Sequence, residues 1–143
     1  METLEDINSE HISFQRIKSY IRNLEVPAEA KVILDELLKA TVDIGGRLYR
    51  IGRKMVEIAI VLAAKFPAIT FALILTSLLN LLIAAIPLLG PVLAPIVGPL
   101  ITALGLAYGA YKDMTNPELK ERMEDLVGDI KELFAAASAP KPA

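Results

Sequence analysis

The chain has 143 residues, a net charge of −2 and no cysteine. The lack of cysteine excludes disulfide bonds, thiolate nucleophiles and cysteine-ligated zinc or iron–sulfur sites. Hydrophobic residues make up 54% of the chain, and the excess over ordinary globular usage lies mainly in residues 66–111, which hold no charged side chain. This run of 46 residues is long enough for two membrane crossings of about 20 residues each and a turn.

The first 65 residues predict amphipathic helices. Apolar residues recur at three- to five-residue steps after Ser9, a suitable N-cap, and the step into Pro27 ends this first helix. Pro27 at a first helical position, with Glu29 in the first turn, predicts a second and longer helix. Two glycines, Gly45-Gly46, predict a break or hinge in its apolar stripe. The stripe consists of Ile33, Leu37, Ala40, Ile44, Leu48, Ile51, Met55, Ile58 and Leu62.

Residues 45–65 are basic, with five basic residues and one acidic residue. Residues 1–44 and residues 112–143 are each acidic overall. Basic residues next to a crossing favour the cytoplasmic side, so the pattern predicts the plasma (inner) membrane with both termini cytoplasmic. We expect the last N-terminal helix to be interfacial, with its cations on anionic lipid headgroups at about 1 kcal/mol each. The candidates for headgroup contact are Arg47, Arg50, Arg53 and Lys54.

Residues 66–111 predict a transmembrane hairpin. Phe66 to Ile86 forms a first crossing of 21 residues, about 31 Å as a helix. Pro91 to Tyr111 forms a second crossing of the same length, interrupted by two prolines. Tyr108 lies with Tyr111 where an aromatic belt would form.

A four-residue unit beginning with proline repeats from Pro87 to Thr102. In an α-helix each proline lacks the N–H group that would donate to the carbonyl four residues earlier. The carbonyls left without donors would line one face, and that face must then meet water, protein donors or cations. Two interpretations remain open, a solvated turn at the far membrane surface or an oligomer with a carbonyl-lined wet path. The candidate hairpin or pore residues are Asn80, Pro87, Pro91, Pro95, Pro99 and Thr102.

Small residues precede the repeated prolines and recur further along the same segment. They predict close helix–helix packing. These candidates for helix packing are Gly90, Ala94, Gly98, Gly105 and Gly109.

The C-terminal segment, residues 112–143, predicts one amphipathic helix and a disordered tail. Asn116-Pro117-Glu118 supplies an N-cap, a first-turn proline and an acid. We expect the tail to begin at Ala135, and the apolar seam to pack against the N-terminal helices or a second copy. The seam comprises Leu119, Met123, Leu126, Ile130 and Leu133.

Enzyme signatures are absent from the sequence. It contains no glycine-rich phosphate loop, nucleophile elbow, metal-ligand spacing or paired carboxylates in an apolar setting. We therefore expect no catalytic activity, no cofactor and no metal. The only histidine, His11, lies in a polar region without a second ligand. The basic patch beside an apolar run favours lipid over nucleic acid as a partner.

Two known families show a similar layout. The uncharged run broken by prolines resembles the central segment of oleosins, although these prolines are evenly spaced and lack the serine of the oleosin proline knot. The apolar hairpin between amphipathic helices also resembles the organisation of pore-forming colicins. Both resemblances imply a hairpin that associates with lipid, and neither identifies a family.

The sequence thus predicts an all-α integral membrane protein with a helical hairpin flanked by amphipathic helices. We expect a homo-oligomer that forms a pore or permeabilises the bilayer. An alternative is a membrane-anchored helical scaffold that recruits a cytoplasmic protein partner or shapes the membrane. A third possibility is a form that shields the hairpin among its amphipathic helices and inserts later.

Overall fold

The computed structural model describes Ile7, residues 12–106 and residues 116–138. Within these ranges the chain is mostly helical, which confirms the all-α expectation. The elements in chain order are α1 (Phe14–Arg22), α2 (Ala28–Leu38), β1 (Val42–Ile44), β2 (Arg47–Tyr49), α3 (Ile51–Lys65), α4 (Phe71–Ala85), a 3-10 turn (Pro87–Leu89), α5 (Gly90–Leu104) and α6 (Pro117–Ser138).

Helix α4 lies at the centre of the fold, where α3, α5 and α6 pack against it. It carries no charged side chain, so it has no side that water would solvate strongly, and its neighbours cover it instead. The buried residues extend along most of its length. They are Phe71, Ile74, Leu75, Thr76, Ser77, Leu78, Leu79 and Leu82.

Helix α5 packs against α2 and α4 with its branched aliphatic side and turns its prolines outward. Pro87, Pro91, Pro95 and Pro99 are all exposed, because four-residue steps on an α-helix drift by only about 40° each. The carbonyls of Pro91 and Pro95, whose N–H donors the prolines remove, belong to these exposed residues, whereas the Pro87 carbonyl accepts from Gly90 N. The inward residues are Leu89, Leu93, Val97, Leu100 and Ile101.

A β-hairpin replaces the long second helix predicted from residue 27 onward. Helix α2 ends at Leu38, and β1 pairs antiparallel with β2 in the register Val42 with Tyr49. Gly45 and Gly46 form the turn with φ angles of 64° and 87°, left-handed values that glycine adopts without strain and that two-residue hairpins require. The predicted break is therefore correct in place, but the helical stripe across it is wrong.

The two helices that lie within the predicted membrane crossings, α4 and α5, are shorter than those crossings. Helix α4 has 15 residues, about 22 Å, because Pro67 lacks an N–H and the Thr70 side chain accepts from Leu73 N to cap the helix start. Helix α5 ends at Leu104, since Gly105 adopts a φ of 72° and acts as the C-cap. Residues 107–115, with Tyr108, Gly109 and Tyr111, lie outside the described residues.

The terminal helices follow their predicted caps, with two differences in extent. Ser13 accepts from Arg16 N and begins α1, whereas the predicted cap Ser9 lies outside the described residues, as does His11. Asn116 caps α6 as expected, its Oδ1 accepting from Leu119 N at 3.1 Å. Helix α6 continues to Ser138, so the tail predicted from residue 135 is helical over its first four residues.

Helix α6 lies across α4 and β1. The Phe134 ring lies 5.4 Å from the Tyr49 ring, which joins the end of α6 to the β-hairpin. Three residues of the predicted seam, Leu119, Met123 and Ile130, are buried. At the other two positions the following residue is buried instead. The buried residues are Leu119, Met123, Val127, Ile130 and Phe134.

Gly52 permits the closest approach between elements, and it generates a stability prediction. A methyl group at this position would lie 1.8 Å from the Leu37 carbonyl oxygen and 2.9 Å from its carbonyl carbon, so Gly52→Ala should lower the free energy of unfolding by about 3 kcal/mol or more. Gly128 in α6 has no atom within 4 Å of such a methyl. Gly128→Ala should therefore raise the free energy of unfolding by about 0.5–1 kcal/mol.

Urea denaturation followed by circular dichroism measures both changes. Equal effects of the two substitutions would contradict the packing of α3 against the end of α2.

Candidate membrane-contact surface

One side of α5 is an exposed surface without charge, which we call the α5 outer face. Leu88 within it is 50% exposed. An isolated exposed leucine is ordinary, but a continuous uncharged helix face is a candidate contact surface for an apolar partner. The face consists of Pro87, Leu88, Pro91, Ala94, Pro95, Pro99 and Thr102.

The stretch Pro87–Leu104, with 18 residues, is the one helical segment of the described chain that is long and apolar enough to cross a membrane. The core helix of a soluble protein passes the same test of length and composition. Such a helix is mostly buried, however, whereas 28% of this stretch is buried inside the fold. Helix α4, at 15 residues, is a shorter apolar helix.

Every hydrogen-bonding side chain in residues 66–106 bonds to the backbone of its own helix. Thr76 Oγ1 donates to the Ala72 carbonyl at 2.9 Å, Ser77 Oγ to the Leu73 carbonyl at 2.7 Å and Asn80 Nδ2 to the Thr76 carbonyl at 2.8 Å. Thr70 caps α4, and Thr102 Oγ1 donates to the Gly98 carbonyl at 3.2 Å. Each of these five side chains thus has at least one hydrogen bond within its own helix.

This arrangement bears on the residues predicted for pore lining and packing. Asn80 is half-buried, and its amide bonds one turn back along its own helix instead of across a helix interface. The small residues before the prolines, Gly90, Ala94 and Gly98, follow the outward side of α5 with intermediate or full exposure. Their predicted role in close helix packing stays a prediction.

The basic block does not form one helix face. Arg47 lies in β2 with its guanidinium 5.2 Å from the Tyr49 ring, and Arg50 is the N-cap residue of α3. Arg53 and Lys54 lie in the part of α3 that is buried on all sides. The prediction of one interfacial helix that carries all four cations is wrong, because Arg47 lies in the β-hairpin and not in α3.

Arg53, Lys54 and Glu57 form a buried charge cluster in α3, with exposures of 8%, 2% and 4%. Glu57 Oε1 accepts from Arg53 Nε at 3.3 Å, and Glu57 Oε2 accepts from Lys54 Nζ at 3.2 Å. Arg53 Nη2 also donates to the Ile12 carbonyl at 3.1 Å, which ties α3 to the residues before α1. Burial of an ion costs several kcal/mol, so each charge depends on its partners.

The buried charge cluster bears on the prediction that Arg53 and Lys54 contact lipid headgroups. Arg53 or Lys54 would have to leave Glu57 before either reached a lipid phosphate. The sequence carried a signal for this pairing, since an acid three and four residues after two bases lies within reach on a helix. Because the neighbouring residues of α3 are apolar on all sides, such a pair was a candidate for burial.

Helix α1 covers the beginning of α4. The Tyr20 ring lies 5.2 Å from the Phe71 ring at an angle of 60°, a tilted arrangement that aromatic pairs favour. Burial raises the pKa of Tyr20, so its phenol stays neutral at physiological pH. This ring contact joins α1 to the first residue of α4.

Comparison of the chain with protein-family models, with curated proteins and with solved structures finds no match.

The buried charge cluster generates a stability prediction. Glu57→Gln removes the negative charge shared by Arg53 and Lys54 and should lower the free energy of unfolding by about 3–5 kcal/mol. Glu118 pairs with Arg122 at 3.7 Å on the surface of α6, where the two side chains are 69% and 45% exposed. The matched change Glu118→Gln should cost less than about 1 kcal/mol. Chemical denaturation of both variants checks the difference, and a cost below 1 kcal/mol for Glu57→Gln would contradict the cluster.

Proposed function

We propose that this protein permeabilises membranes by inserting the α4–α5 hairpin, and that it acts as a homo-oligomer. The observation that carries the proposal is the internal hydrogen bonding of all five polar side chains in residues 66–106. A hairpin of this kind loses no side-chain hydrogen bond when it moves from a protein environment to hydrocarbon. These five side-chain hydrogen bonds therefore do not oppose its transfer into lipid, whereas the α5 carbonyls without N–H donors do.

The two helices would take different parts in insertion. The α5 outer face is uncharged and exposed, so it meets the bilayer first. Helix α4 is packed among α3, α5 and α6, and it follows when those contacts open. This order corresponds to a form that shields the hairpin and inserts later.

Full crossing requires α4 to lengthen. Its 15 residues reach about 22 Å, short of a hydrocarbon core of about 30 Å. If residues 66–70 become helical on insertion, the segment Phe66–Ile86 reaches about 31 Å. Pro67 would then occupy the first turn, where a helix tolerates proline.

The repeated prolines support an oligomeric state in the membrane. The carbonyls of Pro91 and Pro95 lack α-helical donors, and each would cost several kcal/mol if it faced lipid, whereas the Pro87 carbonyl accepts from Gly90 N in the 3-10 turn. Water in a path between several copies supplies the missing donors. The small residues Gly90, Ala94 and Gly98 on the same side allow helices of neighbouring copies to approach closely.

The charge distribution supports an orientation with both termini in the cytoplasm, at the inner face of the plasma membrane. Residues 45–65 carry a net charge of +4 just before the hairpin, and positive charge beside a crossing stays on the cytoplasmic side. Arg47 and Arg50 lie outside the fully buried part of the fold and remain candidates for headgroup contact. Helix α6 stays on the same side, where it is available to a cytoplasmic protein partner.

Vesicle leakage tests the proposal. Purified protein added to dye-loaded liposomes should release the dye. Ala94→Lys places a charge near the middle of the α5 outer face, where a charged side chain costs about 3 kcal/mol in the bilayer, and should slow release at least tenfold. The matched control Ala136→Lys adds the same charge to an exposed position of α6 and should leave release near the wild-type rate.

The outcomes separate the proposal from the scaffold alternative. Vesicles that bind the wild-type protein but retain dye at every protein density would contradict permeabilisation and support the membrane-anchored scaffold. Equal slowing by both lysine variants would contradict a specific role of the α5 outer face.

The prolines supply a second test. Pro95→Ala combined with Pro99→Ala restores two backbone donors on the exposed side of α5 without disturbing its buried side. The free energy of unfolding should rise by about 1–3 kcal/mol, the gain from helical bonds less the added entropy of the unfolded chain. Single-channel conductance should fall, because fewer carbonyls remain to line a wet path. Unchanged conductance would contradict a role of Pro95 and Pro99 in the wet path.

A further inference from the structure

A groove of about 440 Å³ lies between α1 and α2. It is separate from the α5 outer face, although α2 contacts both α1 and α5. Four of its lining residues carry charge. The lining residues are Phe14, Gln15, Lys18, Ile21, Arg22, Lys31 and Asp35.

The groove concentrates positive charge in a chain that is acidic overall. Lys18, Arg22 and Lys31 contribute three cations, and Asp35 contributes one carboxylate. The net charge of the lining is therefore +2, against −2 for the whole chain. Such a local reversal of sign attracts an anion and raises its local concentration.

The cations are held in place from both helices. Lys31 Nζ on α2 donates to the Arg22 carbonyl at 2.7 Å, which fixes the ammonium at the end of α1 and leaves two of its N–H groups for a ligand. Lys18 Nζ lies 3.1 Å from Asp35 Oδ1, with side-chain exposures of 40% and 43%. A pair this exposed contributes little stability, so an incoming anion displaces the carboxylate at small cost.

An aromatic ring forms an apolar part of the groove. Phe14 is 45% exposed, although it is a large hydrophobic residue. Lys18 Nζ lies 5.6 Å from its ring centroid and the Arg53 guanidinium lies 5.3 Å from it. The groove thus combines cations with an accessible apolar surface, which suits an anion attached to a carbon chain.

We propose that the α1–α2 groove binds the phosphate of a phosphate ester. Phosphate oxygens accept several charge-assisted hydrogen bonds at once, which the guanidinium of Arg22 and the ammonium of Lys31 supply from two directions. The ester carbons lie against Phe14. The source is either the headgroup of an anionic lipid, an assignment that rests on the proposed membrane function, or a soluble phosphate monoester.

Two probes distinguish the sources. Titration with sn-glycerol 3-phosphate, followed by calorimetry, reports a soluble ester. Flotation with vesicles of equal parts phosphatidylcholine and phosphatidylglycerol, compared with vesicles of phosphatidylcholine alone, reports a lipid headgroup. Binding of either probe to the groove supports the proposal and identifies the source.

Charge changes in the groove supply the variants. Arg22→Gln combined with Lys31→Gln should weaken binding of the responding probe at least tenfold. Asp35→Asn raises the charge of the lining and should strengthen binding several-fold. Lys39→Gln combined with Lys131→Gln removes the same charge from exposed positions outside the groove and should change binding less than twofold. Circular dichroism confirms that each variant is folded.

The proposal is overturned if neither probe binds, or if the groove variants and the control variants lose binding equally. Leakage from vesicles of phosphatidylcholine alone does not depend on the groove. If leakage persists while neither probe binds the groove, the phosphate site is contradicted and the permeabilisation proposal stands. If a probe binds the groove but no leakage occurs, the permeabilisation proposal is contradicted and the phosphate site stands.

Discussion

Helix α4 carries no charge on any side, and the rest of the fold is arranged to cover it. Helices α3, α5 and α6 pack against it, and α1 closes over its first residue through the contact between Tyr20 and Phe71. Its Thr, Ser and Asn side chains bond to the backbone of their own helix. In the proposed insertion, lipid tails would take the place of these protein neighbours around α4.

The α5 prolines show how one spacing satisfies two requirements. A proline at every fourth position keeps the branched aliphatic residues on the opposite side, where they meet α2 and α4. It also collects the carbonyls without donors on the exposed side, where hydration is available. In water this exposed side is an ordinary solvated surface. In a bilayer it would require several copies to share a wet path, which links the shape of one helix to the proposed assembly.

The cations of the buried charge cluster and those of the α1–α2 groove differ in how firmly other groups hold them. The cations of the buried charge cluster are occupied by Glu57 and, through Arg53, by the Ile12 carbonyl. Those of the α1–α2 groove are only lightly engaged, by an exposed carboxylate and a backbone carbonyl. A ligand in that groove would act on α1, the element that covers Phe71. The proposed phosphate site and the proposed insertion thus meet at one helix.

The sequence by itself determined the helix starts next to Pro27 and Asn116, the break at Gly45-Gly46 and the uncharged run, because caps, glycines and charge act over a few residues. Only the tertiary structure decided which faces are covered. The sequence predicted Arg53 and Lys54 as surface cations, but Glu57 and the surrounding helices enclose them. For the prolines it left open a solvated turn or a carbonyl-lined path, and the structure places Pro95 and Pro99 inside a helix that packs against α2 and α4. Burial depends on neighbours distant in the chain, which local spacing does not specify.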